Sequence, residues 1–181
     1  MQQRPNKAFF LDRDGVLNRA YVKNGKPYPP QTLEEFEILP GVREALDLLR
    51  QERFLLIVVT NQPDVTRGTQ SKEVVQKMHA YLMEQLPLDD IEVCYEENST
   101  CYKPAPGMLL NAAQKHRIDL TQSYMIGDRW RDIGAGKAAG CSTIFIENHY
   151  REELKETPDL ICANLLEGVL AVVGKQEGLK K

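Results

Sequence analysis

Apolar residues recur along the chain in two patterns, as short apolar stretches and as longer segments with helical spacing. Short apolar stretches occupy residues 9–11, 54–59, 91–94, 124–126, 143–146 and 159–162, and the longest of them, 54–59, is unbroken. Runs of this length are typical of strands buried on both faces of a parallel sheet. Helical spacing occupies residues 42–51, 71–85, 108–116, 133–139 and 165–173. Strands that alternate with helices predict one α/β domain, with a mainly parallel sheet between two helical layers.

Two segments lack either pattern. Residues 19–36 are rich in Pro, Gly, Tyr and Lys, and we expect an irregular loop of functional length there. Residues 175–181 are polar, and we expect a solvated tail. The prediction is a single domain over residues 1–181 with a core from about residue 7 to residue 174.

Polar side chains follow four of the predicted strands. Asp12 and Asp14 come after the first run, Thr60 and Asn61 after the second, Lys103 after the loop that follows the third, and Asp128 and Asp132 after the fourth. Because the carboxyl ends of parallel strands meet at one edge of a sheet, we expect these side chains to lie close together.

The acidic residues of this set are suited to holding a cation. Asp12 and Asp14 lie on the same side of an extended backbone, where two carboxylates repel one another. Such a pair is expected only where a cation binds or where one of the acids takes part in chemistry. Mg²⁺ prefers oxygen ligands, and we expect it to take them from Asp12, the backbone carbonyl of Asp14, and Asp128. Asp132 follows one helical turn later and suits an outer-shell ligand of the metal.

The same residues can carry out phosphoryl transfer. Asp12 would act as the nucleophile and form an aspartyl-phosphate, while Asp14 protonates the leaving oxygen and later activates water. Thr60 and Asn61 would hold phosphoryl oxygens, and Lys103 would neutralise charge on the nucleophile and the phosphate. Taken singly, each residue also suits a strand end, a helix cap or an exposed surface position.

Composition excludes other classes of function. A net charge of −3 and a pI near 5.7 give little electrostatic support for binding a nucleic acid. No apolar run approaches the roughly 20 residues of a membrane span, and the first residues lack the apolar segment of a signal peptide. We therefore expect a cytoplasmic protein with no membrane contact. Nothing in the sequence indicates its oligomeric state.

At four motifs the chain resembles the haloacid dehalogenase (HAD) superfamily of phosphatases. The motifs are Asp12-Arg13-Asp14-Gly15, Thr60-Asn61-Gln62, Lys103-Pro104, and Gly127-Asp128-Arg129 with Asp132. The resemblance implies a Rossmann-like α/β/α fold and a Mg²⁺-dependent phosphatase for a small phosphorylated metabolite. Within the superfamily, the chain is similar to the branch of heptose bisphosphate and histidinol-phosphate phosphatases, which lacks a large cap domain. The gaps after Asp14 and Thr60 are too short to hold such a domain.

That branch implies a small sugar phosphate as substrate, with a heptose bisphosphate the first choice. Histidinol phosphate or another small phosphomonoester is the alternative, and a catalytically idle phosphate-binding protein is the alternative outside enzymes. We expect Arg67 and Arg129 to bind the second phosphate of a bisphosphate, with help from Lys23 or Lys26. The competing interpretation is that the two arginines are surface residues or ion-pair partners. Histidinol phosphate would instead need acidic neighbours, of which Asp64 and Glu96 supply some.

The chain departs from the branch at its zinc loop. Members commonly bind structural zinc with a Cys-x-His pair and a Cys-x-Cys pair, whereas here Cys94 is followed by Tyr95-Glu96 and only Cys101 remains of the second pair. Tyr102 stands where an arginine is usual. We expect no structural zinc, and thiols rather than a disulfide at Cys94 and Cys101.

Overall fold

The computed structural model describes residues 5–179, with side chains through residue 174, and contains eight strands, five α-helices and one short 3-10 helix (Leu120–Gln122) in that range. The strands are β1 (Ala8–Leu11), β2 (Tyr21–Lys23), β3 (Lys26–Tyr28), β4 (Leu55–Asn61), β5 (Asp90–Cys94), β6 (Tyr124–Gly127), β7 (Ser142–Ile146) and β8 (Leu160–Cys162). The helices are α1 (Val42–Gln51), α2 (Lys72–Gln85), α3 (Gly107–His116), α4 (Trp130–Ala139) and α5 (Leu165–Leu179).

Six strands form one parallel sheet in the order β5-β4-β1-β6-β7-β8. β1 lies in the middle, and its Phe10 pairs with Ile57 of β4 on one side and Met125 of β6 on the other. Since the chain turns to opposite sides of β1, a crevice opens at the carboxyl ends of these strands, where such sheets bind ligands. The predicted parallel α/β sheet is confirmed.

The two faces of the sheet carry separate hydrophobic cores. Phe9 and Leu11 point to the face covered by α1, α2 and α5, whereas Phe10 points to the face covered by α3 and α4. All four residues of β1 are fully buried, which is why the sequence shows an unbroken apolar run instead of an alternating one. The three-layer α/β/α arrangement expected from the sequence is thereby confirmed.

The segment 19–36 is more regular than expected, because β2 and β3 form an antiparallel hairpin. Asn24 and Gly25 make its two-residue turn, both with positive φ, the combination that a tight hairpin turn favours. Each strand has only three residues, and Tyr21, Val22 and Tyr28 are exposed. A hairpin without a buried face leaves no hydrophobic alternation in the sequence, so the prediction of an irregular loop was wrong.

Two helix boundaries also differ from the prediction. α4 begins at Trp130 instead of residue 133, and the Asp132 side chain accepts a hydrogen bond from the backbone N–H of Arg129 at 2.9 Å, which caps its first turn. α5 continues to Leu179, where a tail from residue 175 was expected. The predicted end of the tail at residues 180–181, and the segment 1–4 at the start, lie outside the described residues. None of the described helices is long and apolar enough to cross a bilayer.

Candidate active site

Asp12 and Asp14 lie in the loop that follows β1. The backbone N–H of Asp12 donates to the carbonyl of Ile126 at 3.0 Å, which extends the pairing of β1 with β6 by one residue. Gly15 then turns the chain with a φ of +87°, and a Cβ atom there would lie 1.8 Å from Oδ2 of Asp128. Only glycine therefore lets this loop approach the Asp128 carboxylate so closely.

Three carboxylates meet at the edge of the sheet. Asp12 follows β1, Asp128 follows β6 and Asp132 lies in the first turn of α4, and each offers one oxygen within 4.8 Å of the other two. All three residues are buried. The structure thus brings together the acidic residues that the sequence placed at separate strand ends.

The electrostatics of these carboxylates call for a cation. Burial, reinforced by Asp132, raises the pKa of Asp12 to about 6, and burial raises the pKa of Asp128 well above its usual range. Oδ1 of Asp128 is buried and has no hydrogen-bond partner among the described residues. A divalent ion would give this oxygen a ligand partner and offset the mutual repulsion. Because all the donors are hard carboxylate oxygens, the cluster fits Mg²⁺.

Lys103 is buried beside the same cluster. Its ammonium group donates to Oδ1 of Asp12 at 2.8 Å, to Oδ1 of Asp132 at 2.6 Å and to the carbonyl of Val59 at 2.7 Å. Burial alone would lower the pKa of Lys103, but the Asp12 and Asp132 carboxylates raise it above its usual value. Three carboxylates around one ammonium leave an excess of two negative charges, which a divalent cation balances.

The end of β4 supports both Lys103 and Asp14. The side-chain amide of Asn61 donates to the Lys103 carbonyl at 3.1 Å, and its oxygen accepts from the Lys103 backbone N–H at 3.0 Å. Gln62 donates to the Thr60 hydroxyl at 3.0 Å and to Oδ2 of Asp14 at 2.8 Å. Thr60 and Asn61 both line the cavity above the carboxylates, but the Asn61 side chain is engaged in positioning the Lys103 segment.

Asp14 borders the cavity and is held by donors on several sides. Arg13 contacts its Oδ2 at 2.8 Å and Asn18 donates to its Oδ1 at 2.9 Å. The Arg13 side chain is fully buried, and its Nη1 lies 3.1 Å from Nε2 of His79 on α2. Burial, together with the Arg13 charge, lowers the pKa of His79 to about 4, so this imidazole stays neutral beside the guanidinium. Helix α2 thereby contributes a polar support to the loop through His79.

A cavity of about 500 Å³ lies over the carboxylates and Lys103, within the size range of small-molecule sites. Its outer wall is formed by the β2–β3 hairpin, the segment after β4 and the loop after β7. In the described part of the chain, the hairpin is the sole regular structure inserted between β1 and α1. The hairpin is therefore the regular structure from this insertion that borders the cavity.

Arg67 and Arg129 both line this cavity, and both are already paired with acids. Arg67 contacts Asp64 at 3.0 Å and Glu97 at 2.9 Å. Arg129 donates through two nitrogens to Glu152, at 2.6 and 2.7 Å. The structure therefore places the two arginines beside the cavity and engages both as ion-pair partners, as the competing interpretation of their role described.

Cys94 and Cys101 are joined by a disulfide, so the expectation of free thiols at these positions was wrong. The return of the chain toward Lys103 brings the two Cα atoms to 5.7 Å, a distance typical of disulfides, and sequence spacing alone does not reveal this approach. In this form the sulfurs offer zinc no thiolate ligand, and the absence of structural zinc stays a prediction. Cys141 and Cys162 are buried and form no disulfide, and they pack as small apolar residues.

Two further residues of the site were missed in the sequence. The Tyr150 hydroxyl donates to Oδ2 of Asp128 at 2.7 Å, and the Asn148 amide donates to the same oxygen at 3.0 Å and to the Gly15 carbonyl at 3.0 Å. Both follow β7. The rule that singled out polar residues after the other strands applies here as well, and would have found them had it been extended to the strand that ends at Ile146.

Comparison with known proteins identifies relatives of this arrangement. Residues 100–168, which include Lys103, Asp128 and Asp132, match a family model of HAD-like hydrolases ("HAD-hyrolase-like"). The D-glycero-beta-D-manno-heptose-1,7-bisphosphate 7-phosphatase of Helicobacter pylori is 36% identical over 177 residues, covering 86% of this chain and 98% of the relative. The enzyme of the same name from Haemophilus influenzae is 38% identical, covering 74% of this chain and 77% of the relative.

A solved structure shows the same fold. The D,D-heptose 1,7-bisphosphate phosphatase of B. bronchiseptica, in complex with magnesium and phosphate, superposes with a TM-score of 0.78 and 25% sequence identity. The match covers 93% of this chain and 99% of that one. The correspondence thus extends over nearly the whole of both chains.

Proposed function

The chain belongs to the HAD-like phosphatase family of these heptose-1,7-bisphosphate 7-phosphatases, and on that premise we propose that it hydrolyses one phosphate ester of a heptose 1,7-bisphosphate. The observation that carries the proposal is the buried cluster of Asp12, Asp128 and Asp132 around Lys103. Such a cluster is costly to bury unless it binds a metal and carries out chemistry. It opens into a cavity large enough for a small phosphorylated sugar.

In the proposed reaction, an oxygen of the Asp12 carboxylate attacks phosphorus and the bond from phosphorus to the sugar oxygen breaks. The sugar oxygen leaves with a proton from Asp14, which gives an alcohol and an aspartyl-phosphate. Asp14 then takes a proton from water as that water attacks the phosphorus. Inorganic phosphate leaves, and the Asp12 carboxylate is regenerated.

The surrounding residues assist these steps by charge and position. Lys103 holds Asp12 in its ionised form and faces the charge that develops on the phosphoryl oxygens. Thr60 can donate its hydroxyl hydrogen to one of those oxygens. Asp12 and Asp128, with the Asp14 carbonyl, would hold Mg²⁺, while Asp132 orients the site through Lys103 and the first turn of α4. The ion, when bound, supplies positive charge to the transferred phosphoryl group.

The charges around the cavity favour a bisphosphate over histidinol phosphate. Histidinol phosphate carries an amine and an imidazole, which need free carboxylates. Of the two acids that the sequence suggested for this role, Asp64 is already paired with Arg67, and Glu96 does not line the cavity. Six lysine and arginine side chains line the cavity together with seven carboxylates. Among the described residues, Lys26 and Arg151 form no ion pair with these carboxylates, so both can bind a second phosphate.

Steady-state hydrolysis in Mg²⁺ tests the proposal. The substrates are heptose 1,7-bisphosphate, histidinol phosphate and a generic aryl phosphate. We expect the highest kcat/KM for the bisphosphate, and loss of activity on every substrate in Asp12→Asn. Asp47→Asn on the surface of α1 is the matched control and should behave as wild type. Activity retained by Asp12→Asn, or a higher kcat/KM for histidinol phosphate, would overturn the proposal.

A further inference from the structure

Some of the cationic side chains that line the cavity are not fully paired with its seven carboxylates. Six cationic side chains line it, and three of them are engaged as described above. Lys103 is bound to Asp12 and Asp132, while Arg67 and Arg129 each contact carboxylates at 3.0 Å or less. Three cations remain in the same lining, and they are Lys26, Arg131 and Arg151.

Arg131 lies in the first turn of α4 and forms only a long ion pair with Glu152. Its Nη1 lies 3.8 Å from Glu152, whose two oxygens already accept from Arg129 at 2.6 and 2.7 Å. Its Cζ lies 4.8 Å from the centre of the Trp130 ring, a cation–π contact that holds the guanidinium without using its hydrogen-bond donors. Arg131 therefore keeps donors available for an anion in the cavity.

Arg151 is positioned by the hairpin opposite. Its backbone N–H donates to the Gly25 carbonyl at 2.8 Å, and a Cβ atom on Gly25 would lie 2.5 Å from Cγ of Arg151. The missing side chain at Gly25 thus makes room for the aliphatic part of the arginine. Within residues 5–174 neither the Arg151 guanidinium nor the ammonium of Lys26, on β3, has a carboxylate within ion-pair distance.

We infer that Arg131, Arg151 and Lys26 bind the second phosphate of the substrate, the one that is not hydrolysed. Three separate elements, α4, the loop after β7 and the hairpin, bring these cations to one cavity, where two guanidinium groups can each grip a phosphate through paired hydrogen bonds. Arg67 and Arg129 would first have to give up existing ion pairs, so they are weaker candidates than the sequence suggested. The inference rests on the proposed function, since it requires a substrate with two phosphates.

The test compares one sugar with and without its second phosphate. kcat/KM is measured for heptose 1,7-bisphosphate and heptose 7-phosphate with wild type, Arg131→Gln and Arg151→Gln. The expected result is that the ratio of the two kcat/KM values falls about tenfold or more in each variant, through a higher KM for the bisphosphate. Arg43→Gln, an exposed arginine on α1 that lies outside the cavity, is the matched control and should keep the wild-type ratio.

A second variant tests the geometry without removing a charge. Gly25→Ala should displace Arg151 and lower the same ratio, with thermal unfolding measured to confirm that the variant is folded. A wild-type preference for the bisphosphate that survives both arginine substitutions would overturn the inference and leave the proposed function standing. A wild-type enzyme that shows no preference between the two sugars would instead overturn the bisphosphate as the substrate, and the inference with it.

Discussion

Replacing Lys103 by Met should destabilise the fold strongly, because it removes the one ammonium group among three buried carboxylates. The methionine side chain is similar in length and fills the same space, so packing changes little. Asp12 and Asp132 each lose a charged hydrogen bond, at 2.8 and 2.6 Å, and the carbonyl of Val59 loses its donor. Since the Asp132 side chain is only 1% exposed, water does not replace the contact that this carboxylate loses.

The size of the effect follows from these contacts. Removing one partner of a buried ion pair costs about 3–5 kcal/mol, and two charge-assisted hydrogen bonds at about 1.5–3 kcal/mol each give a similar figure. Lys103 also lowers the pKa of Asp12, so without the lysine this pKa rises above its present value of about 6. A buried acid with a raised pKa destabilises the fold as the pH rises through that pKa. The loss of stability in Lys103→Met relative to wild type should therefore be larger at pH 8 than at pH 5.

Urea unfolding followed by circular dichroism, with the metal chelated, measures this deficit. Lys137→Met is the matched control, because Lys137 forms an exposed ion pair with Asp159 that should be worth under about 1 kcal/mol. Added Mg²⁺ should stabilise Lys103→Met more than it stabilises wild type, since the ion then meets the carboxylates with no competing ammonium group. Equal losses in the two methionine variants, or a Lys103→Met deficit unaffected by pH, would refute this account of the site.

Three further results are expected. His79 has a pKa of about 4 in the folded protein against about 6.5 in the unfolded chain. The free energy of unfolding should therefore fall by up to about 3 kcal/mol as the pH drops through that interval. Urea unfolding of His79→Gln at several pH values should show that this part of the loss is gone. Gly15→Ala should bind the metal more weakly, because the added Cβ would displace Asp128. The Mg²⁺ concentration for half-maximal activity measures this affinity, and an unchanged value would contradict the geometry. Replacing Cys94 and Cys101 together by serine should cost about 2–3 kcal/mol, the figure expected for opening so short a loop, and a reductant should then have no further effect on the variant's unfolding midpoint.

Much of the fold could be predicted because its signals are local. Buried parallel strands are rich in apolar residues, and a run such as Phe9 to Leu11 in β1 can be recognised without knowing the strands that pair with it. The hairpin escaped prediction because both of its short strands are largely exposed. The Asn24-Gly25 pair was its sole local signal.

The features of the site also divide into those that local sequence signals predict and those that depend on tertiary contacts. Asp12, Lys103 and Asp128 could be placed together because one topological rule puts the ends of parallel strands at one edge. The partners of Arg67 and Arg129 could not, since loop conformations that depend on tertiary contacts decide which carboxylates lie within reach. The disulfide was missed for the same reason.

The central position of β1 also bears on the order in which the protein is made. β1 ends at Leu11, yet one of its two neighbours, β6, begins only at Tyr124. During synthesis β1 therefore has an unpaired edge of apolar residues until the second half of the chain emerges from the ribosome. A nascent chain that ends before β6 would lack the Asp128 carboxylate and would expose this edge to other proteins. The same central position that brings Asp12 beside Asp128 thus makes nascent chains of this intermediate length prone to aggregation.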